Sequence, residues 1–177
     1  MDIILKRSIE WLDRLIAFDT TSRLSNLDLI SDIEKYMNEL SVPTRLTHDK
    51  NKTKANLWCT IGPQDIGGVV LSGHTDVVPI DGQEWTKTPF RMSEESGKLF
   101  GRGTSDMKGF CAIALAMAPE MKSRDLKVPI HFAFSFDEEV GCVGVRHLIK
   151  DVVVNLPLRR AVIVGEPTSM MIVGGNK

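Results

Sequence analysis

Two stretches near the start of the chain carry hydrophobic residues at helical spacing. The first predicts an amphipathic helix that ends at the polar cluster DTTSRLS, and the second predicts a helix from about residue 27 to residue 40. Ser25 or Asn26 is the predicted N-cap of the second helix, and Pro43 ends that element. The predicted buried positions are Leu5, Ile9, Leu12, Leu15 and Ile16 in the first helix and Ile30, Ile33, Met37 and Leu40 in the second.

Beyond Pro43, short apolar runs alternate with further helical segments. The β-branched and aromatic runs predict strands, whereas GFCAIALAM is apolar on nearly every side and predicts a helix packed inside the domain. Strands that alternate with helices predict an α/β sandwich around a largely parallel sheet. The predicted strands are 56–61, 68–72, 130–136 and 160–164, and the predicted helices are 109–117 and a segment that opens over 143–149.

The last residues, MMIVGGNK, predict the start of one more strand. An α/β sheet whose last strand is barely begun leads us to expect that the natural polypeptide continues. We therefore expect residues 1–177 to be the N-terminal portion of a larger catalytic domain.

Composition and charge exclude several classes of protein. With 42% hydrophobic and 25% charged residues and a net charge of -1, nothing in the chain recruits nucleic acid or an anionic membrane. No window approaches the roughly 20 apolar residues that a membrane span needs. The odd number of cysteines (Cys59, Cys111 and Cys142), without C-x-x-C spacing, indicates reduced thiols. We expect a cytoplasmic protein.

Polar residues that can ligate a metal follow three of the predicted strands. GVVLSG runs into His74 and Asp76, IHFAFSF runs into Asp137-Glu138-Glu139, and RAVIVG runs into Glu166. Because ligand sites of open α/β sheets lie beyond the carboxyl ends of the strands, we expect these side chains to converge. Imidazole and carboxylates together are typical ligands of a divalent metal such as zinc.

Each of these features has a simpler interpretation when it is taken alone. An isolated H-x-D pair is more often a buried structural histidine beside a turn aspartate, and three adjacent carboxylates can form a solvated turn. The coincidence of three such strand ends favours a metal site. Within it, Asp76 is placed to orient His74, while the adjacent Glu138 and Glu139 point differently, so that one can bind metal and the other can take a proton from water. We interpret His131 as structural and His48 and His147 as surface residues.

Asp106 lies in GRGTSDMKG, a glycine-punctuated loop that leads into the apolar helix. The loop lacks the glycine and lysine pattern of a P-loop and the third glycine of a dinucleotide fingerprint, so a nucleotide site is not favoured. A carboxylate at this turn could bridge two metal ions with its two oxygens.

Five motifs in order, SGHTDVVP, W-x-x-x-PF, GRGTSDMKG, DEEVGCVGV and GEPT, resemble the zinc-dependent family of acetylornithine deacetylase, succinyl-diaminopimelate desuccinylase, aminoacylase and related peptidases. The resemblance implies a three-layer, two-zinc aminopeptidase-like catalytic domain. It implies that His74 and Glu166 hold one zinc, Glu139 the other, and Asp106 both, with cobalt as a possible substitute. It further implies that Asp76 orients His74, that Glu138 is the general base, and that the Asp106–Met107 peptide bond is cis.

The same resemblance implies a small-molecule N-acyl amino acid as substrate. FSFDEEVGCVGVRHLI and HTDVVPIDGQEW look most like the acetylornithine deacetylase branch, which makes ornithine and acetate in arginine biosynthesis. The family's remaining metal-ligand histidine, its lid domain and its homodimer contacts lie beyond Lys177, so we expect this chain alone to be inactive. Three alternatives stay open: a desuccinylase or other N-acyl-amino-acid hydrolase, a two-metal phosphoesterase, and a non-catalytic metal-binding fragment.

Overall fold

The two predicted N-terminal helices are confirmed in the computed structural model, which describes residues 2–174. Helix α1 spans Ile3–Ile16 and helix α2 spans Leu27–Glu39. The first turn of α1 contributes no side chain to the core, so Leu5 is exposed, contrary to the prediction. Asn26 occupies the N-cap position of α2 but makes no capping bond there, and the Ser25 hydroxyl accepts from the Leu27 amide instead.

A five-stranded sheet forms the centre of the molecule, in the order β1-β2-β6-β3-β7. β6 pairs in parallel with β3 and β3 with β7, whereas β2 is antiparallel to both β1 and β6. Four strands therefore run in one direction and β2 runs against them, which confirms a largely parallel sheet. The strands are β1 Thr44–His48, β2 Ala55–Ile61, β3 Val69–His74, β6 Ile130–Ser135 and β7 Ala161–Val164.

Helices cover both faces of the sheet and make three layers. One face packs against α1, α2 and α3 (Lys108–Lys122), and the other packs against α4 (Val143–Asn155). Successive side chains of β6 point to opposite faces of the sheet, so Phe132 and Phe134 join the first core and Ala133 joins the second. A separate hairpin, β4 (Ser93–Glu95) and β5 (Lys98–Phe100), was not predicted, and neither was β1.

The predicted C-terminal strand does not form over residues 170–174, which are turn and irregular backbone; residues 175–177 of that prediction lie outside the described range. β7 is the last strand of the sheet, so residues 170–174 pair with no neighbouring strand. The histidine interpretations hold: His131 is buried with Nδ1 2.9 Å from the Thr60 hydroxyl, and His48 and His147 are exposed. Between residues 2 and 174, no helix is long and apolar enough to cross a membrane.

Candidate metal centre

Three adjacent parallel strands bring the predicted ligands to one edge of the sheet. β3 lies between β6 and β7, and its last residue, His74, is opposite Ser135 at the end of β6. The acidic residues Glu138 and Glu139 follow β6 within a few residues, and Glu166 follows β7. The carboxyl ends of these strands therefore converge, as the sequence predicted.

His74 lies at the centre of this group and is 1% exposed. Its Nε2 atom is 3.1 Å from a carboxylate oxygen of Asp106, 3.8 Å from one of Glu166 and 3.9 Å from one of Glu138. There are two sets of candidate ligand atoms, and within each set all atoms lie within 4.8 Å of one another. One set comes from His74, Asp106 and Glu139, and the other from His74, Glu138 and Glu166. All five residues thus meet in one place. The adjacent Glu138 and Glu139 point differently, since Glu139 lies beside Asp106 and Glu138 lies beside Glu166.

The backbone carbonyl of Asp76 fixes the orientation of the His74 ring. His74 Nδ1 is 2.8 Å from that carbonyl oxygen and 3.5 Å from the nearer carboxylate oxygen of the same residue. A carbonyl only accepts, so Nδ1 donates, and in the neutral ring the lone pair of Nε2 faces the carboxylates. The carboxylate of Asp76 instead accepts bonds from the Ser22 hydroxyl at 2.7 Å and from the amides of Glu138 and Glu139 at 3.0 and 3.3 Å.

Asp106 lies just before α3, and the two residues that follow it are buried and fix the backbone there. The Asp106–Met107 peptide bond is cis, as the resemblance implies, and the Met107 side chain is fully buried. The next residue, Lys108, is buried as well and donates to the carbonyls of Leu15 and Phe18 at 3.0 and 2.8 Å. Burial lowers the pKa of Lys108 to about 8. This lysine fastens α3 to the end of α1, a role that its sequence context did not signal.

The charges of the site match a divalent cation. Burial, together with the negative charge of Asp106, raises the pKa of Glu139, and burial raises that of Glu166. Burial alone would lower the pKa of His74, but Asp76 and Glu166 outweigh it and raise the value to about 9. Carboxylates that crowd a buried imidazole repel one another, and a bound cation relieves this repulsion. One imidazole nitrogen with several carboxylates is a donor set that suits zinc.

A glycine lets Glu166 approach the other ligands. A Cβ atom on Gly165 would lie 2.0–2.4 Å from atoms of the Phe110 ring, which no side chain tolerates without movement. Phe110 belongs to the first turn of α3, so the backbone that follows β7 lies against the start of the helix that Asp106 precedes. We expect this close approach to help fix the position of Glu166.

Sequence reasoning missed the residues that hold the acidic turn after β6. Three residues bond to this turn or to Asp76: Lys54 just before β2, Asn56 within β2 and Ser22 after α1. They are 54 to 88 residues away from their partners along the chain, so only the folded topology brings them there. In the sequence, only the polar residues of the segments KAN (54–56) and TTS (20–22) could have indicated these contacts.

Known proteins of the same kind were found by sequence and by structure. Residues 70–174 match the model of peptidase family M20/M25/M40. The chain is 35% identical over 175 residues to acetylornithine deacetylase of Buchnera aphidicola subsp. Schizaphis graminum, and 36% identical over 154 residues to that of Shigella sonnei. These alignments cover 96% and 86% of this chain but 45% and 39% of the relatives, so the chain spans less than half their length.

Solved structures share the fold. An M20 family metallo-carboxypeptidase from Sulfolobus solfataricus has a TM-score of 0.72 at 23% identity, covering 93% of this chain and 37% of that one. Human carnosine dipeptidase 1 has a TM-score of 0.66 at 22% identity, covering 91% and 39%. The family model covers more than half of the chain, and the converging strand ends lie within it. This chain belongs to peptidase family M20/M25/M40, whose members are metal-dependent hydrolases.

Proposed function

We propose that this chain is the metal-binding part of an amidohydrolase that cleaves N2-acetyl-L-ornithine to L-ornithine and acetate, a step of arginine biosynthesis. The observation that carries the proposal is the meeting of His74 with four carboxylates, three that follow adjacent parallel strands and one, Asp106, at the entry to α3. Two relatives at 35% and 36% identity bear the name acetylornithine deacetylase, which supports this substrate over other N-acyl amino acids.

The proposed metal ligands are His74, Asp106, Glu139 and Glu166, and the proposed ions are two zinc ions, for which cobalt can substitute. His74 and Glu166 would hold one ion, Glu139 the other, and Asp106 both. When bound, such ions polarise an acyl carbonyl and lower the pKa of water toward about 7. The transfer of protons is then left to the side chains of the protein.

Glu138 is the proposed general base. Its carboxylate lies 3.9 Å from His74 Nε2, and its backbone amide is fixed by Asp76, so the side chain is held at the site without being buried. Glu138 takes a proton from the attacking water as the water oxygen bonds to the acetyl carbon. It then gives that proton to the amine nitrogen as the C–N bond breaks, which releases ornithine and acetate.

We propose further that residues 1–177 are the N-terminal portion of the catalytic domain and that the whole protein is a cytoplasmic homodimer acting on a small molecule. The chain covers 45% and 39% of the named relatives, which supports this view. The isolated chain is then expected to bind metal with little or no turnover, because the remaining ligand histidine and the lid belong to the other half.

The test compares Glu138→Gln with Glu84→Gln, a matched change of an exposed glutamate away from the site. In the chain extended to the length of its relatives, Glu138→Gln should bind zinc normally and lose about 10²–10⁴-fold in turnover of N2-acetyl-L-ornithine. Glu84→Gln should match the unaltered protein. Near-normal turnover by Glu138→Gln would refute the role of this residue.

Substrate assignment has its own measurement. The unaltered protein should hydrolyse N2-acetyl-L-ornithine faster than N-succinyl-diaminopimelate and faster than a phosphate ester. A reversed order would overturn the substrate while leaving the metal ligands in place. Absence of bound zinc or cobalt by elemental analysis would overturn the metal centre itself.

A further inference from the structure

The turn that carries Glu138 and Glu139 is held by side chains from other parts of the chain. This acidic loop, residues 136–144, begins where β6 ends and leads into α4. Asn56, which is fully buried, accepts a bond from the Phe136 amide at 3.1 Å and donates to the Gly144 carbonyl at 3.0 Å. Both ends of the acidic loop are therefore tied to the neighbouring strand β2.

Lys54 holds the first carboxylate of the loop. Its Nζ atom is 2.6 Å from the Asp137 carboxylate, and the two side chains are only 14% and 15% exposed. The same Nζ also donates to the backbone carbonyl of Ser22. Asp137 has a φ angle of 54°, a left-handed conformation that is uncommon for non-glycine residues although aspartate adopts it more readily than most. The ion pair with Lys54 helps to hold the residue in this conformation.

Ser22 holds the loop by a second route, through Asp76. The Ser22 hydroxyl donates to Asp76 at 2.7 Å, and the same carboxylate accepts the amides of Glu138 and Glu139. The backbone amide of Ser22 also donates to the Val77 carbonyl at 3.1 Å, so the segment after α1 runs beside the segment after β3. Ser22 thus contacts both Lys54 and Asp76, and these two residues contact three successive positions of the acidic loop.

Electrostatics gives these contacts a purpose. The acidic loop carries three successive carboxylates, and three more lie at the site beside it; the six are Asp76, Asp106, Asp137, Glu138, Glu139 and Glu166. Within residues 2–174, Lys54 is the only lysine or arginine with a nitrogen within 4.0 Å of any of them. When that charge is removed, we expect repulsion between neighbouring carboxylates to loosen the loop and to turn Glu138 and Glu139 away from His74.

We propose that Lys54 and Ser22 are positioning residues for the metal centre. They fix Asp137 and Asp76, and these in turn fix the backbone from which Glu138 and Glu139 reach the ion and the substrate. The proposal rests on the proposed metal-dependent function, but its structural half, the ordering of the loop, holds in the metal-free chain. Partners that orient metal ligands typically contribute about 10–100-fold in metal affinity.

The first experiment uses Lys54→Met, with Lys50→Met as the matched change of an exposed lysine in the preceding turn. Cobalt titration, followed by calorimetry, should show affinity about tenfold weaker for Lys54→Met and unchanged for Lys50→Met. Lys54→Arg, which restores the charge, should recover part of the loss. In the metal-free chain, hydrogen exchange at the amides of Glu138 and Glu139 should be faster in Lys54→Met than in Lys50→Met.

A residue with a merely structural role would lower the melting temperature without changing cobalt affinity in the folded protein. That result, or equal affinities for Lys54→Met and Lys50→Met, would overturn the proposal. If Lys54→Met fails to fold, Ser22→Ala decides, with the exposed Ser31→Ala as control. Ser22→Ala should weaken cobalt binding and speed exchange at the same two amides, and a match to Ser31→Ala in both measurements would overturn the proposal.

The two proposals fail in different ways. If the unaltered chain binds no cobalt, the proposed metal-dependent function fails, and exchange at the amides of Glu138 and Glu139 still tests whether Lys54 orders the loop. If the unaltered chain binds cobalt and Lys54→Met and Ser22→Ala bind it equally well, the metal centre stands and the positioning role is wrong.

Discussion

The two faces of the sheet are packed to very different extents. Among the described residues, the core between the sheet and helices α1, α2 and α3 contains 21 buried hydrophobic residues, whereas the core under α4 contains five. Apolar side chains at the α4 side and along β7 are half exposed: Ile149, Val153, Val162, Ile163 and Val164 are each 50–57% exposed. Within residues 2–174, the first face therefore holds the larger core and the second face the smaller one.

The candidate metal centre spans this difference. His74 ends β3, which lies between β6 and β7, and Asp106 stands two residues before the helix α3 that lies in the larger core. Glu166, in contrast, follows the edge strand β7, all four residues of which are exposed. We infer that the His74–Asp106 side of the site is rigid by packing, while the Glu166 side depends on a few specific contacts.

The largest expected effect on the free energy of unfolding comes from removing one buried side chain from each core in turn. Phe132→Ala removes a fully buried ring from the larger core and should lower the free energy of unfolding by about 3–5 kcal/mol. Leu148→Ala removes a buried side chain from the core under α4 and should cost about 2 kcal/mol, because the site is small and can collapse. Urea denaturation of both variants gives the two values. Equal costs would show that the two faces contribute alike and would break the comparison.

A second prediction contrasts two glycines that precede ligands. Gly165→Ala meets the half-buried Phe110 ring at the exposed edge, where the backbone can yield, so Glu166 should move. We expect cobalt affinity to fall about tenfold, with a loss of stability of less than about 1 kcal/mol. Gly73→Ala would place a Cβ atom 2.9 Å from the buried sulfur of Cys111 and should cost about 1–3 kcal/mol of stability instead.

Calorimetric titration and urea denaturation of the two glycine variants separate the outcomes. If Gly165→Ala binds cobalt as well as the unaltered chain, the contact with Phe110 does not set the position of Glu166. If Gly73→Ala is as stable as the unaltered chain, the packing behind His74 is looser than the larger core implies.

The sequence predicts most of this fold because burial leaves a clear pattern. Strands that are buried on both faces, such as Ala55–Ile61 and Ile130–Ser135, are apolar runs, and the helices show their periodic stripes. Thr44–His48 was missed because its mixed polar residues lie on a partly exposed edge. The two three-residue strands of the β4–β5 hairpin are too short to give a periodic signal.

The candidate site divides in the same way. Residue types at strand ends predict His74, Glu139 and Glu166 as neighbours, since parallel strands end at a common edge. The hydrogen bonds that hold the acidic loop are not readable from the sequence, because they join positions that are distant along the chain. The Asp76 carboxylate illustrates this, since it accepts from the amides of Glu138 and Glu139, 62 and 63 residues away.

The smallest expected effect tests the exposed edge directly. Val162 of β7 and Val70 of β3 are register partners in neighbouring strands, yet they are 55% and 6% exposed. Val162→Lys should change the free energy of unfolding by no more than about 0.5 kcal/mol, because the long side chain reaches solvent. Val70→Lys would bury an unpaired ammonium group and should cost several kcal/mol. Urea denaturation of the two lysine variants measures the difference. A loss above about 2 kcal/mol for Val162→Lys would show that β7 belongs to the core, and Glu166 would then be held as rigidly as His74.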